Sequence, residues 1–315
     1  RPIDHRNFVF PVTLQSSEIL KVVTRITTTS SMQVPIRMSP PTTFWEREQL
    51  SLIVLGIFYG LILVMVVYNG FLYLGLRQTS YLYYVLHVVS AALFQACLHG
   101  TTFQWLWPDS VWFHDKILPI SAAASAGYLF VFTQQFLGLR SSLPRASRAL
   151  TLLTGLSLVV GVMAIFIPYS IAIRMIVVVA MLAPFFCLGP SIYLWRRGST
   201  IAGLYVSSWF FFLLGAVLLS LAKSGFVASN ALTENGFQIG MSLQIVLLSL
   251  ALAYRLRVLE QEKNTAEAKT AELTWRNDAL LEVIDYEEER LKTLESQKSS
   301  AIGELEHAQN QLIQA

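Results

Sequence analysis

The sequence predicts a mostly α membrane protein. A seven-helix transmembrane bundle is preceded by a short extracytoplasmic β segment and followed by a parallel dimeric coiled coil. Three observations carry this. First, 54% of the 315 residues are hydrophobic and only 14% are charged, against about 25% charge in soluble domains. Second, charge is nearly absent from about Leu50 to Tyr254 and dense from Arg255 onward. Third, the charged stretch carries an unbroken heptad. The expected domains are residues 1–44, the end of a β-sandwich; 45–254, the bundle; and 255–315, a cytoplasmic signalling coil.

Phe8–Val12 and Ile19–Thr27 are rich in β-branched and aromatic residues, and Val34–Met38 reads as a third, short strand. Three short strands are marginal alone, so they are expected to close a larger sandwich. Residue 1 is Arg rather than Met, and Ala315 still lies in helical pattern. The expectation is a piece of a longer or processed protein.

Crossing a bilayer takes about 20 mostly apolar residues. Seven runs qualify: Leu50–Leu76, Tyr81–Leu98, Ile117–Leu137, Ala149–Ile167, Ile171–Trp195, Ile201–Leu221 and Gly236–Tyr254. Only Pro168-Tyr169-Ser170 parts the fourth from the fifth. Proline breaks a helix there, so a tight hairpin is expected. Arg77, Arg140, Arg145, Arg148, Arg196, Arg197, Arg255 and Arg257 collect on one side; the other has Lys116, Lys223 and Arg174. The arginine-rich side is expected to be cytoplasmic. That places the N-terminus in the periplasm of a bacterial inner membrane and the C-terminus inside. Cys97 and Cys187 fall at different depths, so they are expected to be small apolar fillers rather than a disulfide.

In the tail, Leu256, Lys263, Thr270, Asn277, Ile284, Leu291, Lys298, Leu305 and Leu312 occupy a positions. Leu259, Ala266, Leu273, Leu280, Glu287, Leu294, Ala301, Ala308 and Ala315 occupy d positions. A sustained 3.5-residue period means a supercoiled helix with a partner. Asn277 at an a position favours two parallel strands in one register. The alternatives are a solitary charged helix or one packed on another domain. No proline follows Pro190, so the seventh span and the coil can form one continuous helix.

Gly56-Ile57-Phe58-Tyr59-Gly60, then Tyr68-Asn69-Gly70-Phe71-Leu72-Tyr73-Leu74, then Arg77-Gln78-Thr79-Ser80-Tyr81-Leu82-Tyr83-Tyr84 form a specific pattern. It resembles the bacterial seven-transmembrane receptors with diverse intracellular signalling modules. Ile239-Gly240 and Ser249–Arg255 look like the end of the same domain, so the resemblance covers about Trp45 to Arg257. It implies a periplasmic sensor, with carbohydrate-like compounds among the ligands, and a preceding β-sandwich for which Phe8–Val12 and Arg25 look like closing strands. Family outputs include histidine kinases, diguanylate cyclases, phosphatases and nucleotide cyclases. Glu304–Ala315 resembles the helix leading into the phosphoacceptor domain of sensor histidine kinases. His307 is not itself a phosphoacceptor candidate, because the following acidic residue and Pro are missing.

No catalytic motif, metal spacing or cofactor site is read from the residues. His87, Gln95, Asn69 and Gln244 are polar residues embedded in spans, where such groups are often functional. They are candidates for a ligand pocket or relay; the alternative is interhelical bonding that holds the bundle together. Trp105, Trp107, Trp112 and His114 lie in the His99–Lys116 loop. They stack on a ligand or partner in one reading and anchor at headgroup level in the other. Arg174 is expected to snorkel; Pro119, Pro184 and Pro190 are kink candidates.

The expected mechanism is a dimeric sensor whose seventh helix slides, rotates or tilts. Leu256, Leu259, Lys263, Asn277, Leu280, Ile284, Leu291 and Leu294 would relay the movement. Polar seam positions would keep two packings close in energy. No basic face with interleaved aromatics suggests nucleic acid. A transporter would show embedded charges and paired repeats, and an intramembrane enzyme embedded His, Asp or Glu clusters; neither pattern appears. A passive membrane scaffold is the remaining alternative.

Overall fold

The computed structural model describes residues 3, 5–15, 18–25, 36–224, 226–228 and 230–314. Their contacts divide the chain into two units, Arg1–Tyr254 and Arg255–Ala315.

Helix α1 spans Pro41–Leu76, with Pro40 at the cap and Pro at its first position, where a missing N–H costs nothing. It stops at Arg77, which takes the left-handed conformation (φ 56°) and donates its N–H to the Tyr73 carbonyl. Helix α2 (Thr79–Leu98) ends at Gly100 (φ 71°), which turns the chain into the short α3 (Thr101–Trp105). The Ser110 hydroxyl caps α4 (Val111–Phe136) by accepting from the Phe113 N–H. A turn of helix, α5 (Leu139–Ser142), leads to α6 (Pro144–Phe166). Ile167 is extended, Pro168 caps α7 (Tyr169–Arg196), and the expected hairpin falls at that proline. Lys116 closes the same corner, its Nζ donating to the Ile167 carbonyl at 2.6 Å. Helices α8 (Thr200–Lys223) and α9 (Ala231–Glu234) precede α10, one element from Gly236 to Gln314.

Seven of these helices are long and apolar enough to cross a membrane. They match the seven apolar runs, with Leu137 and Ile167 falling one residue past the ends of α4 and α6, and they overshoot several of the runs. Helix α1 starts at Pro41 rather than Leu50, and α4 at Val111 rather than Ile117. The reason is that caps end a helix, whereas the lipid boundary only ends its apolar stretch. Asp115 and Lys116 therefore sit inside α4 although the apolar run begins after them.

The β expectation has a different outcome. Among the described residues of 3–40 no strand forms, and Phe8, Ile19, Val23 and Ile36 are exposed. A strand exists only against a partner ladder, and the described residues supply none. Ile26, Thr27, Val34 and Pro35, which belonged to the expected strands, lie outside the described residues.

The bundle has an aromatic centre. Tyr81, Tyr84, Phe130, Phe132, Phe136, Tyr205 and Trp209 are fully or almost fully buried, with Phe132 stacked on Phe136 at 5.3 Å. Leu152, Phe166, Phe185 and Phe71 face outward and are more than two-thirds exposed. Large apolar side chains outside and buried polar groups inside suit a bundle whose solvent is lipid. Cys97 and Cys187 are buried free thiols.

Candidate functional site

The seventh span is gripped along its length, by different devices at its two ends. Near the Gly236 end, α8 and α10 touch through backbone. A Cβ on Gly240 would lie 2.6 Å from the Phe211 carbonyl oxygen and 3.1 Å from the Gly215 Cα; one on Gly215 would collide with the Gly236 carbonyl. Gly236 and Gly240 are four residues apart and so share a face, the small-residue spacing that brings membrane helices together. Beside them the Gln238 amide and the His99 imidazole approach to 2.8 Å between their ε2 nitrogens. Burial, opposed by a bond with the Gln95 carbonyl and aided by the nearby Arg6 charge, holds His99 below the ordinary histidine range. A neutral ring can accept from the Gln238 amide.

Towards Tyr254 the grip comes from side chains of the first two spans. The Asn69 amide donates to the Ser249 hydroxyl (2.9 Å) and to its own Met65 carbonyl (2.8 Å). Tyr84 donates to the Ile245 carbonyl at 2.7 Å and Tyr81 to the Leu252 carbonyl at 3.3 Å. Two hydroxyls thus hold backbone oxygens two turns apart on α10. In a medium without water such bonds fix rotation and register, because a freed hydroxyl has few other partners.

The residues expected to form a pocket have different partners. Asn69 belongs to the α10 grip. His87 faces α4, its Nδ1 3.0 Å from the Ser125 carbonyl and 3.1 Å from the Ser125 hydroxyl. Gln95 and Gln244 are buried. Trp105 is exposed, whereas Trp107 is half-buried, packs edge-on to Phe113 and donates to His114 Nδ1. The unexpected members are Tyr81, Tyr84, Ser249, Gln238 and the three glycines. The spacing of Gly236 and Gly240 was the available signal. Tyr81 and Tyr84 gave none, since they read as apolar.

In the Arg255–Ala315 unit, the relay positions Leu259, Leu280, Ile284, Leu291 and Leu294 are exposed on α10. So are Lys263 and Asn277, while Leu256 is half-buried. The ion pairs Lys263–Glu267 (3.6 Å) and Glu287–Arg290 (3.5 Å) are local and solvated.

No curated protein and no solved structure matches the chain. Residues 1–40 match the family described as 7TMR-DISM extracellular 2. Residues 51–255 match the one described as 7TM diverse intracellular signalling, which covers the bundle except the first ten residues of α1 and ends where the exposed heptad begins. With that match over well more than half its length, the chain belongs to the seven-transmembrane receptors with diverse intracellular signalling and is a membrane sensor of that kind.

Proposed function

We propose that the chain is the sensing and relaying part of a dimeric receptor of the bacterial inner membrane. Its N-terminal segment is periplasmic and completes a β-sandwich that receives a ligand, carbohydrate-like in chemistry. Helix α10 passes the change to a parallel two-stranded coil and on to a cytoplasmic histidine kinase. The observation that carries this reading is α10 itself. It is one helix to Gln314, clasped by Asn69, Tyr81 and Tyr84 in its membrane part, and its longer remainder presents exposed leucines at heptad spacing.

Several facts support the parts. The match over residues 1–40 supports an extracellular domain. Arg77, Arg140 and Arg196 at helix ends on one side support a cytoplasmic face there. The kinase output rests on the likeness of Glu304–Ala315 to a phosphoacceptor lead-in helix; a cyclase or phosphatase output would leave the relay unchanged.

Cysteine substitution at Leu280, a d position, tests the coil. In membranes, Leu280→Cys should crosslink to a second copy under mild oxidation, and Glu282→Cys, off the seam, should not. Replacing Lys263, Thr270 and Lys298 together by Leu should lock the output in one state. A graded, ligand-dependent output from that variant would refute the bistable relay.

A further inference from the structure

At the Gly236 end of the bundle, called the mouth below, Arg6 and its neighbours tie the N-terminal stretch to two other parts of the chain. The Arg6 guanidinium, buried to about a tenth of its exposure, holds Glu48 Oε1 at 2.9 Å and donates to the Ser51 hydroxyl at 2.7 Å, both on α1. His5 adds a second contact to Glu48 at 3.2 Å and packs against Phe44. The Arg6 carbonyl rests on Gly100, where a Cβ would come within 2.9 Å of it. Gly100 links α2 to α3, and the adjacent His99 is the residue joined to Gln238 in the first turn of α10. A second strap joins the same two parts: Arg37 pairs with Glu234, two residues before α10 begins, at 3.2 Å. The N-terminal stretch is therefore fastened to the first helix and, through Gly100 and His99, set against the start of the seventh.

The two straps differ in strength. Arg37–Glu234 is solvated and worth little. The His5/Arg6–Glu48 cluster is about nine-tenths buried, so losing one partner strands a charge. Arg6 Nε, Tyr59 Oη and Gln238 Oε1 are also buried without a hydrogen-bond partner among the described residues. Such a polar closure is held mainly by the ion pair rather than by a fully satisfied network. The buried Cys97 lies three residues before Gly100, whose N–H donates to the Cys97 carbonyl at 3.1 Å, so its thiol reports on the Gly100 turn.

We propose that His5 and Arg6, clamped on Glu48 and seated on Gly100, form a latch through which the N-terminal domain sets the position of the seventh helix. In the latched state Arg6 holds Glu48 and His99 holds Gln238. A pull on the N-terminal domain that parts Arg6 from Glu48 frees the Gly100 turn, and with it the His99–Gln238 link to α10. This inference rests on α10 being the output shaft, and its two halves can be tested apart.

The first readout concerns the latch alone. In a Cys187→Ser background, Cys97 is the sole thiol, and its reaction with a maleimide is followed in open membrane sheets, where the reagent reaches both faces. Arg6→Gln and Glu48→Gln should each raise the rate by about tenfold or more, as expected when a buried pair is broken. Gly100→Ala, which keeps both charges but pushes the Arg6 carbonyl away, should do the same. The exchange Arg6→Glu with Glu48→Arg should return the rate towards the parent's. Unchanged labelling in Arg6→Gln and Gly100→Ala, or no recovery in the exchange variant, overturns the latch. The second readout is Leu280→Cys crosslinking in the full-length receptor. Latch variants should shift its extent in one common direction, and the exchange should reverse the shift. Faster Cys97 labelling with unaltered crosslinking overturns the coupling to α10. Absence of crosslinking in the parent as well points instead to failure of the coiled-coil reading.

Discussion

Helix α10 contains two regions built on opposite terms. From Gly236 to Tyr254 one apolar face is buried: Met241, Ile245, Leu248, Ala251 and Leu252 are each no more than 5% exposed, while Ile239, Leu243 and Leu250 face outward. Gln238 and Ser249 are also buried, Gln238 bonded to His99 just after α2 and Ser249 to Asn69 on α1. From Arg255 onward Leu273, Leu280, Ile284, Leu291 and Leu294 are all more than half exposed, and the ion pairs Lys263–Glu267 and Glu287–Arg290 join neighbours on the same helix. Isolated helices owe little of their stability to propensity and most to packing of an apolar face. The first region has its packing inside the chain. The second carries an exposed apolar seam. The same element is thus held by the bundle in its first region and left uncovered in its second.

The glycine contact offers the sharpest way to break this contrast. Gly240→Ile sets a branched side chain against the Phe211 carbonyl, where even a Cβ would be at 2.6 Å. Helix α8 would have to move away, at a cost of at least about 3 kcal/mol. The detergent-solubilised bundle should melt many degrees lower. A bundle melting like the parent would mean that α8 and α10 are not in backbone contact.

Removing one hydroxyl is a smaller perturbation. Tyr84→Phe deletes the bond to the Ile245 carbonyl but keeps the ring against Phe132. Hydrogen bonds between membrane helices average about 0.6 kcal/mol, so the loss should be under about 1 kcal/mol in unfolding experiments. The effect on output should exceed the effect on stability, because the bond fixes rotation rather than holding the bundle together. Tyr84→Phe with wild-type output and wild-type ligand response would show that register does not depend on this clasp.

How much of this was legible beforehand follows from which physics acts locally. The seven spans were readable because a bilayer imposes about 20 apolar residues on each crossing, and the Pro168 hairpin because proline acts within one turn. The heptad was readable because its period lies in the chain itself. Pairing was not. Asn69, His87, Gln95 and Gln244 are all embedded and polar, yet Asn69 meets α10 and His87 meets α4. Which embedded group meets which depends on helix rotation, and residues far apart in the chain decide it. Tyr81 and Tyr84 passed as hydrophobic residues because their rings satisfy the apolar pattern while their hydroxyls do the bonding. Arg6 and Glu48 escaped notice because their pairing joins a loop to a helix some forty residues on, and no periodicity links them. Phe8–Val12 and Ile19–Thr27 had β composition, but composition cannot supply a partner strand.

The smallest expected effect tests the link between α10 and the mouth. Burial keeps His99 below its ordinary value in the folded chain, with Arg6 adding to the same shift. An unfolded histidine titrates near about 6.5. As pH falls through that value, the unfolded chain takes up a proton that the folded chain does not. Folding stability contributed by neutral His99 is therefore present above the ordinary value and declines with falling pH, until the folded ring also protonates. At that point His99 can no longer accept from the Gln238 amide. Comparing melting curves of the parent with His99→Asn between neutral and mildly acidic pH isolates this contribution from the other histidines. The parent should lose stability more steeply than the variant on acidification. Parallel slopes would place His99 outside the closure of the mouth and leave Arg6 and Glu48 to hold it alone.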